Sequence, residues 1–275
     1  MFKGIDVSDN QGVINWTKVK AAGVQFAVLR STISSGEPDK QLANNIKGCL
    51  AVGIPFSFYK YMYATTTAKA RQEAKRVIEV LQGYGIVPDK SIKIWADVED
   101  EILKPLSVAE LTKVVNAFRE VVLESGFQFG LYMNNNNYQS GELDTKQFDC
   151  DIWIARYPST KSVDFGELPD NKYRPVVNTG VLWGWQFSST GKVDGISGNV
   201  DLDVCYGDIG EEAVPRYYPI PQFTLVDSLN NIGVDSSYEY RKKIAAANGI
   251  SDYSGTAEQN LKMLALLNSG KLIAV

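Results

Sequence analysis

Strand-like runs rich in Val, Ile, Phe, Tyr and Trp alternate with helix-period segments along most of this chain, and that alternation limits the folds open to it. The runs are Phe2 to Ser8, Phe26 to Thr32, Ile54 to Tyr63, Ile92 to Glu99, Phe127 to Asn134, Ile152 to Tyr157, Leu182 to Ser188 and Asn199 to Val204, eight strand candidates in all. The clearest intervening helix spans Ser107 to Gly126, with Val108, Leu111, Val114, Val115, Phe118, Val121 and Val122 on one stripe. Ser107 and Glu110 form a capping box, and Gly126 supplies the stop. Ala68 to Leu81 repeats the pattern through Ala70, Ala74, Val77, Ile78 and Leu81. Strands separated by helices imply parallel βαβ units, and eight of them imply closure into a barrel. The later connections are short or irregular, so the fold class expected is α/β, a distorted (β/α) barrel over residues 1–210.

Beyond Val204 the composition shifts. A Pro-rich linker is expected over residues 211–222, followed by a small all-α module of three helices over 223–275. Its signals are capping boxes at Ser236 with Glu239 and at Thr256 with Gln259, with stops at Gly249 and Gly270. A module of this size suits binding rather than catalysis.

The chain has no histidine, which removes imidazole acid/base chemistry, Ser-His-Asp and Cys-His triads and His-ligated zinc together. With 28 basic against 32 acidic residues, scattered along the chain, nucleic acid is not an expected partner. No apolar run reaches the roughly 18 residues of a membrane span. Cys49, Cys150 and Cys205 lack metal-like spacing and are expected to be reduced and structural. The first residues already read as a strand and leave no room for an export signal, so synthesis in a host cytoplasm, with action on the cell wall after release, is expected.

Any catalysis is left to carboxylates, tyrosines, lysines or thiols, and three strands bring carboxylates inward. In Ile92 to Glu99, alternation turns Ile92, Ile94, Ala96 and Val98 toward the covering helices and Lys93, Trp95, Asp97 and Glu99 toward the interior. Asp97 and Glu99 then project from the C-terminal end of a barrel strand, where barrel enzymes place catalytic groups. In the first strand Gly4, Asp6 and Ser8 face inward, and in the last Asn199, Asp201 and Asp203 do. Closure makes those two strands neighbours, so Asp6 meets Asp201 across the seam, with Asp203 expected further along toward the rim. Four inward acids fit hydrolysis of a glycosidic bond, and a hard-cation site is the lesser reading. Acidic residues at strand ends also occur without catalytic duty. No calcium-type ligand loop is present, so no metal and no organic cofactor are expected.

Tyr59, Tyr61, Tyr132, Trp153, Tyr157, Trp183 and Trp185 lie in or just after the strands. Flat rings with a polar edge stack on sugars, although strands are aromatic-rich in any case.

The ordered set Gly4-Ile5-Asp6-Val7-Ser8, Gly12, Trp16, Gly53-Ile54-Pro55, Tyr59, Asp97-Val98-Glu99, Trp153-Ile154-Ala155-Arg156-Tyr157, Trp185-Gln186-Phe187 and Gly195 to Asp201 resembles glycoside hydrolase family 25. Those are the lysozymes, or N-acetylmuramidases, of bacteria and their phages. The resemblance implies a flattened, irregular (β/α) barrel and cleavage of the β-1,4 bond between N-acetylmuramic acid and N-acetylglucosamine in peptidoglycan, as by a phage endolysin or an autolysin. It implies Glu99 as general acid, Asp97 as its partner, and Asp6 and Asp201 as groups that shape the sugar subsite. Tyr59, Tyr61, Tyr132, Trp153, Tyr157, Trp185 and Gln186 are the implied substrate contacts. Lys60 follows Tyr59 where many members carry His, and alternation turns Lys60 away from the groove. The tail is loosely similar to three-helix wall-binding repeats, with Arg241, Lys242 and Lys243 as candidate contacts and self-association as the other use of such a module. A non-catalytic wall-binding protein on an enzyme-like barrel is the alternative from another functional class.

Overall fold

The computed structural model describes residues 1–86, 88, 92–210, 224–268 and 271–275. The chain divides into two compact units, a barrel and, after it, a set of C-terminal helices. The linker expected at 211–222 and the stop expected at Gly270 lie outside the described residues.

Each expected run forms a strand: β1 (Phe2–Val7), β2 (Phe26–Arg30), β3 (Phe56–Tyr61), β4 (Lys93–Asp97), β5 (Gln128–Asn134), β6 (Asp151–Ala155), β8 (Val181–Lys192) and β9 (Val200–Cys205). A two-residue strand not foreseen, β7 (Val163–Asp164), is added on β8. The first six strands pair in parallel and in sequence, β6 pairs in parallel with β8, and β9 runs antiparallel to both β8 and β1, closing a mixed barrel. The antiparallel closure departs from an all-parallel barrel for a simple reason. No helix stands between β8 and β9, and a direct return connection can join only antiparallel neighbours.

Helices α1 (Trp16–Ala21), α2 (Leu42–Val52), α3 (Thr67–Gly83), α4 (Val108–Glu124) and α5 (Asn135–Ser140) fill the earlier crossovers. On α4 the capping box forms as the sequence requires, with the Glu110 N–H donating to Ser107 Oγ and the Ser107 N–H donating back to Glu110 Oε2. Its stripe is buried from Leu111 to Val122, while Val108 in the first turn stays exposed. The three cysteines are free, and Cys49 and Cys205 are fully buried.

Inside the barrel an aromatic floor takes the place of a cavity. Phe26, Val28, Trp95, Tyr132, Trp153, Ala155, Trp183 and Cys205 form one buried cluster, with Trp95 and Trp183 ring centroids 4.6 Å apart. Gly130 makes the packing possible, since a Cβ there would stand 2.3 Å from the Trp95 ring. Lys93 closes the lower end, its ammonium lying over the Trp95 and Trp183 rings and pairing with Asp151. This dry floor sets the electrostatics of everything above it.

The second unit holds α6 (Leu225–Asn231), α7 (Tyr238–Ala247) and α8 (Ala257–Asn268) around Leu225, Leu229, Ile244, Ala245, Ile250, Tyr253, Met263 and Leu264. The Thr256 and Gln259 box forms, and Gly249 takes the left-handed conformation expected of a stop. The α7 cap is Ser237 rather than Ser236, because Asp235 holds the Ser237 N–H and Ser237 Oγ is left to accept from Tyr240. Among the described residues no helix is long and apolar enough to cross a membrane.

Candidate active site

The C-terminal ends of the parallel strands open on one mouth, and β9 enters from that side. Asp6 near the end of β1 is therefore the register partner of Asp201 near the start of β9. Asp97 ends β4, and Glu99 follows it. Asp6 and Asp97 are buried, whereas Glu99 and Asp201 are half-buried.

Their mutual influence brings the four into one electrostatic set. Burial, then Asp201 and Asp203, pushes the Asp6 carboxyl well above the ordinary range. Burial, then Glu99, does the same to Asp97, whose Oδ1 has no hydrogen-bond partner. Glu99 rises to about 6 through burial and then the charge of Asp201, and Asp201 rises to about 6 through burial. Asp97 and Glu99 titrate as a pair that keeps a proton longer than an isolated carboxyl. Of the two, Glu99 is the one with access to solvent. Among the described residues no group of acids or thiols is disposed to hold a metal ion.

A hydrogen-bond chain ties the mouth to the floor. Gln186 Nε2 donates to Asp6 Oδ2 at 2.6 Å, and Gln186 Oε1 accepts from the hydroxyls of Tyr132 at 2.9 Å and Tyr157 at 2.5 Å. Trp153 Nε1 donates to Asp203 Oδ1 at 2.8 Å. The seven candidate substrate contacts thus separate by depth. Tyr59, Tyr61 and Tyr157 keep exposed surface, and Tyr132, Trp153 and Gln186 are buried beneath them, in positions to orient the upper layer.

Two expectations fail here. Trp185 does not reach the mouth: it is fully buried and donates from Nε1 to the Arg156 carbonyl at 2.7 Å, on the outer face that Ile154 and Val204 share. A bulge is the cause. Ile152 pairs with Leu182 but Trp153 pairs with Gly184, so Trp183 is an extra residue that turns inward while Trp185 turns out. Asp203 is not at the rim but pairs with Gly4, deeper than Asp201, since an antiparallel strand descends from the mouth as it proceeds. Lys60 turns away from the groove as alternation requires, with its ammonium donating to the Ile33 carbonyl at 3.1 Å.

One cluster was missed. Arg30 binds Asp39 and Asp9, and the Asp9 N–H donates to Asp39 Oδ2 at 3.0 Å, which ties the turn after β1 to the loop after β2. The signal was present, since Phe26, Val28 and Arg30 alternate and a charge ends an apolar inward set.

The model of the glycosyl hydrolases family 25 matches residues 5–196. The chain belongs to that family. The autolytic lysozyme of Clostridium acetobutylicum is 25% identical over 202 residues, 74% of this chain. The chain spans 55% of the length of that relative. The catalytic domain of endolysin ply40 from bacteriophage P40 of Listeria monocytogenes has the same fold, with 26% identity, a TM-score of 0.59, and coverage of 76% of this chain and 95% of that one. A stretch of 47 residues, 17% of each chain, is 53% identical to the L-alanyl-D-glutamate peptidase of Listeria phage A118.

Proposed function

We propose that this chain is a muramidase that hydrolyses the β-1,4 bond between N-acetylmuramic acid and N-acetylglucosamine in peptidoglycan. The observation that carries the reading is the placement of Asp97 at the end of β4 and Glu99 just after it, beside a buried aromatic cluster, in a chain of this family. In this reading Glu99 delivers its proton to the leaving glycosidic oxygen, and Asp97 and Asp201 stabilise the positive charge that develops on the sugar. Water then completes the hydrolysis. Asp6 holds Gln186, and Tyr59, Tyr61 and Tyr157 offer rings to the sugar faces.

The helical unit is assigned to wall attachment. Its support is the loose sequence similarity of residues 240–260 to wall-binding repeats. Lys242 and Lys243 are exposed, whereas Arg241 is bound to Tyr253 and Asn260 and serves the module's own packing. Mass spectrometry of fragments released from purified peptidoglycan tests the main reading. New reducing ends on N-acetylmuramic acid are expected. Reducing ends on N-acetylglucosamine, or intact glycan strands, would reject it and favour a barrel that binds walls without cutting them.

A further inference from the structure

Two loops at the mouth are fixed by a charge cluster that the proposed reaction does not use. Asp39, buried in the loop after β2, accepts through Oδ2 from Arg30 Nε at 2.7 Å and from the Asp9 N–H at 3.0 Å. Through Oδ1 it accepts from the Gln41 N–H at 2.8 Å. Arg30, which ends β2, also pairs with the Asp9 carboxylate. One guanidinium thus holds two carboxylates from different loops, and its planar fork fixes where each stands.

The turn held in this way closes the top of the seam between β1 and β9. Asp9–Gln11 is a single helical turn just after β1, in which Gln11 Oε1 accepts from the Ser8 N–H at 2.9 Å. Gln11 Nε2 reaches across the seam and donates to the Asn199 carbonyl at 3.3 Å. Asn199 immediately precedes β9, and Lys192 at the end of β8 holds its side chain from the other side at 2.7 Å. Asp6 lies two residues before Ser8 and Asp201 two residues after Asn199, and these two acids are register partners. A continuous run of bonds therefore joins Asp39 to the segment that carries Asp201.

We propose that Asp39 and Arg30 are positioning residues that clamp the turn Asp9–Gln11, and that this turn, through Gln11, sets the place of Asp201 in the groove. The proposal rests on the glycosidase reading above, in which Asp201 stabilises the charge that develops on the sugar. A buried ion pair adds little net stability over apolar packing of the same volume, which leaves fixed geometry as what this cluster contributes. Charge stabilisation depends on where the carboxylate stands when the charge forms, so a shift at the entry to β9 costs turnover rather than binding. Tyr59, a candidate sugar contact, is held separately. Its carbonyl accepts from the Ser31 N–H at 2.9 Å and from Ser31 Oγ at 2.8 Å, and the Ser31 carbonyl accepts from the Asp39 N–H at 3.1 Å. None of these bonds involves the Asp39 carboxylate.

The full chain is assayed on solubilised peptidoglycan fragments as Asp39→Asn, as Gln11→Met and as both together. Asparagine has one accepting oxygen where the carboxylate has two, so it cannot serve the Arg30 and Asp9 side and the Gln41 side at once. Methionine keeps the length of Gln11 and removes both of its bonds. Each single variant is expected to lower kcat about ten- to a hundred-fold while KM stays within about twofold of the wild-type value. The double variant is expected to fall no further than the worse single one, because both changes cut the same connection. Losses in kcat that multiply, or losses confined to KM, would overturn the proposal. So would an unchanged kcat in Gln11→Met, an outcome that decides the matter even where Asp39→Asn fails to fold. Amide hydrogen exchange gives a reading that needs no activity: residues 198–202 are expected to exchange faster in Gln11→Met than in the wild type, and equal rates would overturn the link to β9. Absence of all muramidase activity in the wild type would reject the glycosidase reading instead, while the exchange rates still decide whether the clamp reaches β9.

Discussion

Glu99 and Asp97 show how two neighbouring carboxyls take different duties from their depths alone. Asp97 is buried with an unpartnered oxygen, whereas Glu99 keeps surface open to solvent, and in the proposed reaction that makes Glu99 the proton donor. Replacing Glu99 with Gln keeps the shape and removes the acid. Activity on peptidoglycan is expected to fall about a hundred- to ten-thousand-fold while the circular dichroism spectrum is unchanged. Near-normal wall clearance by Glu99→Gln would remove the residue from the reaction. The pH dependence has a definite sign. Glu99 is raised to about 6 and in the proposed reaction acts in its protonated form, so turnover at saturating substrate is expected to decline as pH rises through that value. A rate that instead climbs across the same interval would assign Glu99 to base rather than acid duty.

At the scale of elements, the site depends on strands packed closely enough to exclude water from the floor. β4 and β5 achieve this because Gly130 sits where the Trp95 ring presses, and a methyl group there would stand 2.3 Å from that ring and 2.9 Å from the Lys93 side chain. Trp95 has no room to retreat, being fully buried among Trp153 and Trp183. Gly130→Ala is therefore expected to destabilise the barrel by about 1–3 kcal/mol, read as a lower denaturant midpoint. An unchanged midpoint would show that the floor is softer than its geometry. The bulge in β8 acts at the same scale. It brings Trp183 onto the floor and leaves Gly184 beside Trp153, where a Cβ would stand 3.3 Å from the Trp153 ring.

Across the whole molecule, the acids that serve the site weigh on its stability. Asp6, Asp97, Glu99, Asp201 and Asp203 all have folded values above the ordinary carboxylate range near about 4. Below that range they are protonated in the folded and unfolded chain alike. Above it the folded barrel holds protons that the unfolded chain releases, so stability falls as pH rises, until the folded groups also ionise. Calorimetry at constant ionic strength is expected to show a lower barrel Tm at pH near about 8 than near about 5. The opposite slope would mean that these acids are solvated or paired. The helical unit has its own core, which predicts separable behaviour. A chain ending near residue 210 should keep its cleavage of soluble fragments and lose much more of its clearance of whole cells, because tethering raises the local concentration of an enzyme at an insoluble polymer. Equal losses on both substrates would argue against wall attachment, and conversion of an oligomer into a monomer in light scattering would assign the tail to assembly.

The strands, the covering helices and the inward direction of Asp6, Asp97, Glu99 and Asp201 were legible in the sequence, because alternation and the 3.6-residue stripe are local properties of a single element. The absence of histidine likewise removed imidazole chemistry before any contact was known. The depth of Asp203, the outward turn of Trp185 and the bond between Arg30, Asp9 and Asp39 were not legible as such. Depth along a barrel depends on which way a strand runs beside its partner, and β9 takes its antiparallel direction from a direct return after β8. A bulge is one residue inserted in one strand of a pair, and it shows only when both strands are aligned. Whether an inward carboxyl meets water, a cation or another carboxyl is likewise a property of what closure places opposite it, since burial and neighbouring charge, rather than residue type, set where it gives up its proton.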